Sequence, residues 1–125
     1  MTTGNTKMHT DLLVYVAGPY RGKVDHNVMI AEQNAARMAV NSIGFICPHS
    51  NGNPHDKLGL PDQYWIESTM EIMRRCDALL IVGDWAKSEG TIGEIQEAKH
   101  LKKPVFFHWV EVVQWAEEQK SNAST

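Results

Sequence analysis

Cysteine is scarce in this chain: only Cys47 and Cys76 occur among 125 residues. Neither has histidines at spacings that would build a zinc site around it, and both border apolar segments, so both read as buried small hydrophobes. A disulfide between them is not expected in a reducing compartment. Long hydrophobic runs are also missing, none approaching the ~20 residues that span a bilayer. Residues 1–10 are polar and lack an apolar signal-peptide core, so the expectation is a cytoplasmic protein with no membrane partner. Positive charge is not in excess, the net charge being -3, and this argues against a nucleic-acid polymer as partner. The glycines form neither Gly-x-Gly-x-x-Gly nor a Walker A loop, since no Lys-Ser or Lys-Thr follows them. His49, His55 and Asp56 share one polar segment, but their spacing is unspecific. No metal and no cofactor is expected.

What remains is an ordinary globular composition. Hydrophobic residues make up 42%, and the length suits one domain, expected over residues 11–119 between a flexible N-terminus (1–10) and a flexible tail (120–125). Leu12-Leu13-Val14-Tyr15-Val16-Ala17 is a continuous apolar run that reads as a buried strand. Residues 26–43 follow helical spacing, with Val28, Ala31, Ala35, Met38 and Ala39 on one stripe, Asp25 as N-cap and Gly44 as terminator. Phe45-Ile46-Cys47 reads as a second strand, residues 48–61 as a turn-rich loop or lid, and residues 62–75 as a second helix. A third strand over 77–83, a helix over 94–101 starting as early as Thr91, a strand over 105–107 and a helix over 110–118 complete the pattern. Strict alternation of strand and helix predicts an α/β fold. It would be a doubly wound, flavodoxin-like parallel sheet of four to five strands with helices on both faces. Ligands in such folds sit beyond the C-terminal strand ends. If the first and third strands are neighbours, the loops 18–22 and 84–93 face one crevice.

The segment Ser88-Glu89-Gly90-Thr91-Ile92-Gly93-Glu94 is the most informative. It joins an apolar strand to a helix start, where free backbone N–H groups and the positive end of the helix dipole bind anions. Ser88 offers a hydroxyl and Gly90 an unobstructed N–H. Glu94, held ionised by the same field, is a candidate nucleophile or base. The spacing Thr91-x-x-Glu94 also matches a capping box, which would give Glu94 a structural task instead. Gly90 and Gly93 cost roughly 0.5–1 kcal/mol each in a helix, and that cost favours the reading in which they make room for a ligand.

Other candidates flank this segment. Arg21, in Gly18-Pro19-Tyr20-Arg21-Gly22, is either a phosphate partner or a solvated loop residue. Tyr20 is suited to stacking on a base or bonding a carboxylate, and equally to covering the sheet edge. Asp84 can hold a ribose hydroxyl or orient a leaving group, or it is a turn aspartate. Trp85 stacks on a nucleobase or packs. His49 and Asn51 are placed to touch a sugar.

These residues together resemble the nucleoside 2-deoxyribosyltransferase-like proteins. The resemblance rests on Val14-Tyr15-Val16-Ala17-Gly18-Pro19-Tyr20-Arg21-Gly22, Pro48-His49-Ser50-Asn51, Cys76-Asp77-Ala78-Leu79-Leu80 and Gly83-Asp84-Trp85-x-x-Ser88-x-Gly90-Thr91-x-x-Glu94, and covers about residues 12–107. It implies that Glu94 attacks the sugar C1′, that Ser88 and Gly90 hold a 5′-phosphate with Arg21 assisting, and that Tyr20 and Asp84 line the sugar and base pocket. It also implies a homodimer or larger assembly. The implied activity is cleavage of the N-glycosidic bond of a nucleoside 5′-monophosphate or related nucleoside, releasing or exchanging the base. The alternatives are a non-catalytic nucleotide-binding module and an NAD-type glycohydrolase. One position departs from the pattern: Thr69 stands where nucleotide-cleaving relatives carry an aspartate.

Overall fold

The computed structural model describes residues 9–51 and 58–123. The strands are β1 (His9–Ala17), β2 (Ile43–Ile46), β3 (Ala78–Ile81) and β4 (Val105–Phe106). The helices are α1 (Val24–Val40), α2 (Asp62–Arg74), α3 (Glu89–His100) and α4 (Trp109–Ala123), with 3-10 turns at Pro48–Asn51 and Trp85–Lys87. All strand pairings are parallel, in the order β2-β1-β3-β4. The doubly wound α/β reading therefore stands, with four strands.

Strand alternation splits the apolar residues of the sheet between two faces. Val14, Val16, Ala78 and Leu80 pack with Ala31, Ala35 and Met38 of α1 and with Val112 and Ala116 of α4. Tyr15, Ala17, Leu79 and Ile81 face the other way, against Met73 of α2 and Ile95 and Ala98 of α3. Because β1 and β3 carry apolar residues at every central position, both faces must be covered, and the continuous run that marked them in the sequence has this cause.

Several boundaries differ from expectation. The first helix begins at Val24 after Lys23, so Asp25 lies in the first turn and is not the N-cap. Its carboxylate still suits the positive helix end. Gly44 does not terminate α1. The chain turns at Ser42, which takes φ 60, and Gly44 lies inside β2 opposite Leu13. His9 and Thr10, expected in a flexible N-terminus, belong to β1, and α4 continues past residue 119 to Ala123. His55 and Asp56, with the rest of 52–57, lie outside the described residues, as do 1–8 and 124–125. Among the described residues no helix is long and apolar enough to cross a membrane. Both cysteines are buried, and neither forms a disulfide among the described residues.

A cleft at the ends of the central strands

From β1 the chain goes to β2 on one side and to β3 on the other, so the exits of β1 and β3 lie at a topological switch point. The two exits nearly touch. A Cβ on Gly18 would lie 2.6 Å from the Val82 carbonyl oxygen and 2.9 Å from its Cγ2. Only glycine fits there. Gly22 answers a different need, a backbone φ of +91, and it lines no part of the cleft.

The loop after β1 is tied down on both sides. Asn27 in the first turn of α1 donates to the carbonyls of Tyr20 (3.2 Å) and Arg21 (3.1 Å). On the far side, His49 Nε2 donates to the Pro19 carbonyl at 2.9 Å. The His49 ring is buried, and burial lowers its pKa, although the bond to Pro19 opposes the shift. It is therefore a neutral ring whose Nε2 proton is already committed, leaving Nδ1 as a buried atom with no partner. The Arg21 guanidinium reaches across the cleft mouth to Asp62, the first residue of α2. Both side chains are exposed, so this pair contributes little to stability.

After β3, Ser88 is the N-cap of α3. Its Oγ accepts the Thr91 N–H at 3.3 Å and lies 2.9 Å from Thr91 Oγ1. The helix thus starts at Glu89, one turn earlier than the Thr91-x-x-Glu94 spacing suggested, and the capping box is not formed. Thr91 is buried beneath the turn. The N–H groups of Glu89 and Gly90 are left as the first-turn donors without helical acceptors.

This shift of one turn releases Glu94 from capping. Its Oε2 accepts from the Tyr15 hydroxyl at 2.5 Å, a contact that joins α3 to the centre of β1. The expectation that the helix field holds Glu94 ionised is not met. Dipole effects fade beyond the first turn, and Glu94 is past it. Burial dominates and pushes its pKa up to about 7, with the Tyr15 hydrogen bond pulling the other way. The Tyr15 phenol is itself pushed well above its ordinary value, chiefly by burial and then by the Glu94 charge. Thr69 lies beside this pair and interacts with the Tyr15 hydroxyl. Its Oγ1 bonds back into α2, to the carbonyls of Trp65 (2.9 Å) and Ile66 (3.2 Å).

The cleft has two lobes that meet at Glu94 and Thr69. The inner lobe, about 210 Å³, is mostly apolar and has Tyr15, His49, Trp65, Ile66 and Ile72 in its walls. The outer lobe, about 900 Å³, has a mixed polar and apolar lining and is bordered by the charged and polar groups of Lys23, His26, Asp84, Lys87 and Ser88 and by Gly90. Gly18, Tyr20 and Arg21 edge both lobes, and Thr91 lies under the outer one. So Glu94, Asp84, Tyr20, Gly18, Arg21, Ser88, Gly90, Thr91 and His49 do converge. Trp85 does not. It packs on Phe107, ring centroids 5.3 Å apart, and on the core beneath α3. Asn51 ends the 3-10 turn beside the inner lobe, but its side chain is not among those described.

Sequence reasoning passed over Tyr15, Trp65, Asn27 and the cations Lys23 and Lys87. Tyr15 alone carried a usable signal: a hydroxyl inside an aliphatic buried strand must find a partner.

Fold and site together define a parallel α/β protein with a cleft at the switch point of its sheet, centred on a part-buried glutamate. The chain belongs to the family described as a domain of unknown function, DUF4406, whose profile matches residues 12–107. No curated protein matches it in sequence. In structure it is similar to a 2-deoxyribosyltransferase from the psychrotolerant bacterium Bacillus psychrosaccharolyticus. The TM-score is 0.61 over 81% of this chain and 90% of that one, at 18% identity. Likeness at that identity speaks for the fold.

Proposed function

We propose that this protein cleaves the N-glycosidic bond of a nucleoside 5′-monophosphate or a related nucleoside, with Glu94 as the nucleophile on C1′. The observation that carries the proposal is the Tyr15–Glu94 pair at the junction of an apolar inner lobe and a wider outer lobe that carries charged and polar groups. The apolar lobe suits a planar base. The outer lobe holds the start of α3, whose Glu89 and Gly90 N–H groups, with Arg21, suit a phosphate. A sugar spanning the two would bring its anomeric carbon to Glu94. The fold shared with a 2-deoxyribosyltransferase supports the same chemistry.

Attack by the ionised carboxylate would form a glycosyl ester through an oxocarbenium-like transition state, and water or a second base would resolve it. Tyr15 holds the carboxylate in one orientation and helps its ionised form persist. Phosphate contacts remote from C1′ supply binding energy for positioning. Asp84, which borders the outer lobe, would meet sugar hydroxyls.

The test is covalent trapping. A 2′-fluoro nucleoside 5′-monophosphate should add the mass of its glycosyl group to the peptide holding Glu94, and Glu94→Gln should abolish the adduct. Nucleotide binding without adduct or base release would instead favour a non-catalytic binding module, a reading that the back-bonded Thr69 supports.

A further inference from the structure

We propose that the preferred substrate carries a leaving base with a fixed positive charge, a pyridinium or N-alkylated purinium glycoside, in the inner lobe. This rests on Glu94 acting as nucleophile and deepens that reading by naming the substrate class.

Loss of a neutral base requires a proton, and apart from Glu94, which must itself be ionised to attack C1′, the inner lobe has none to spare among the described residues. From β1 comes Tyr15, whose hydroxyl proton is committed to Glu94. The β1–α1 loop contributes Arg21, whose guanidinium is paired with Asp62, and Tyr20, a phenol, a class of group that is a far weaker acid than a carboxyl. From the 3-10 turn comes His49, neutral, its Nε2 proton spent on the Pro19 carbonyl. The α2 wall presents Trp65, Ile66, Ser68, Thr69 and Ile72, none of them titratable. The acids Asp62, Asp84 and Glu89 line the outer lobe and not the inner one.

What the lobe offers instead is complementary to a cation. Tyr15, Tyr20 and Trp65 give it aromatic walls, which attract a planar cation through their faces. Glu94 is the acidic side chain in it. A part-buried carboxyl whose pKa is raised to about 7 gains most from such a neighbour. A cationic ring beside it restores the ionised form, so the substrate would prepare its own nucleophile.

The step balances without an acid. A Glu94 carboxylate oxygen bonds to C1′, and the C1′–N bond breaks with its electron pair passing to the ring nitrogen. This cancels the positive charge and releases a neutral base. Water then attacks C1′, the Glu94 carboxylate leaves, and the proton lost by water passes to solvent. One glycoside cation and one water give one reducing sugar, one neutral base and one proton.

A matched pair tests this: 7-methylguanosine 5′-monophosphate against guanosine 5′-monophosphate, which differ in one methyl group and one charge. Base release is followed for the wild type and for Glu94→Gln, and each rate is divided by its spontaneous rate. The expected result is an enhancement about 100-fold or more greater for the cationic member, the size of a missing general acid, and lost in Glu94→Gln. Equal, Glu94-dependent enhancement of both would overturn this inference and leave the proposed function standing. Cleavage of neither would overturn both. Thr69→Asp, which adds an acid beside Tyr15 and Glu94, should narrow the gap by speeding the neutral member. A folded Thr69→Asp protein with an unchanged gap would also count against the inference.

Discussion

Tyr15 and Glu94, far apart in sequence, share a hydrogen bond of 2.5 Å in the middle of the cleft, the phenol donating to the carboxylate. Neither group would sit comfortably where it does alone. The hydroxyl lies in a strand buried on both faces, and the carboxyl lies past the first turn of α3, part-buried and away from the helix end. Each supplies the polar partner that the other's burial demands.

Removing the phenol oxygen should raise the Glu94 pKa further, because the bond to Tyr15 is what opposes burial. Hydrogen bonds to charged groups contribute about 1.5–3 kcal/mol. Tyr15→Phe should therefore lower kcat/KM by roughly ten- to a hundredfold at neutral pH, with the acid limb of the pH–rate profile moved to higher pH. An unchanged limb would show that Tyr15 does not act on Glu94's ionisation.

Glu94 also sets a pH dependence of stability. Its folded pKa, about 7, lies above the ordinary value of 4.5. The protonated form is thus the one the fold favours: its contribution is fully present below about 4.5 and is lost as pH rises through about 7. Glu94→Gln keeps the shape without the charge. It should melt several degrees above the wild type at pH 8.5, with the difference largely gone at pH 5, a gap on the order of 1–3 kcal/mol. Thermal melts across that range decide it, and a variant no more stable at pH 8.5 would show that burial does not burden the ionised form.

The two helical glycines separate on the same logic. A Cβ on either Gly90 or Gly93 would meet nothing within 4 Å. Alanine at each should stabilise α3 by roughly 0.5–1 kcal/mol. Gly90 borders the outer lobe and Gly93 does not. Gly93→Ala should raise the melting temperature and leave nucleotide affinity alone, whereas Gly90→Ala should raise it and weaken binding of a 5′-monophosphate, read by calorimetry. Equal affinities in the two variants would remove Gly90 from the phosphate site.

The fold was legible because β1 and β3 are apolar at every central position and a helical stripe lies between them. That pattern has few alternatives to a covered parallel sheet. Sequence alone does not pair β1 with β3; the register Val14↔Ala78 to Ala17↔Ile81 does, and it brings the two loops together. Helix starts were less legible. Lys23 caps α1 without a side-chain hydrogen bond, so no residue type announced it, and both Ser88 and Thr91 had capping chemistry. Choosing Thr91 placed Glu94 in the first turn and gave it the wrong electrostatics. Tyr15 escaped notice because a strand's period says which face a residue takes and nothing of what its hydroxyl meets there. The position of Trp85 after β3 leaves both stacking on a base and packing open, and the 3-10 turn that starts there decides for packing, against Phe107.

Ser88 carries two tasks, and substitution can separate them. As N-cap it accepts the Thr91 N–H; as a cleft residue it borders the outer lobe. Ser88→Ala should lose the cap, at a cost of about 1 kcal/mol, and the melting temperature should fall by several degrees. Ser88→Asp retains a capping oxygen and favours the helix end with its charge, so stability should be kept or gained. That same charge would repel a phosphate at the Glu89 and Gly90 N–H groups. If the start of α3 binds the phosphate, Ser88→Asp should bind a nucleoside 5′-monophosphate at least about tenfold more weakly while binding the unphosphorylated nucleoside as the wild type does. Equal losses for both ligands would place the phosphate elsewhere on the outer wall, toward Lys23 and His26.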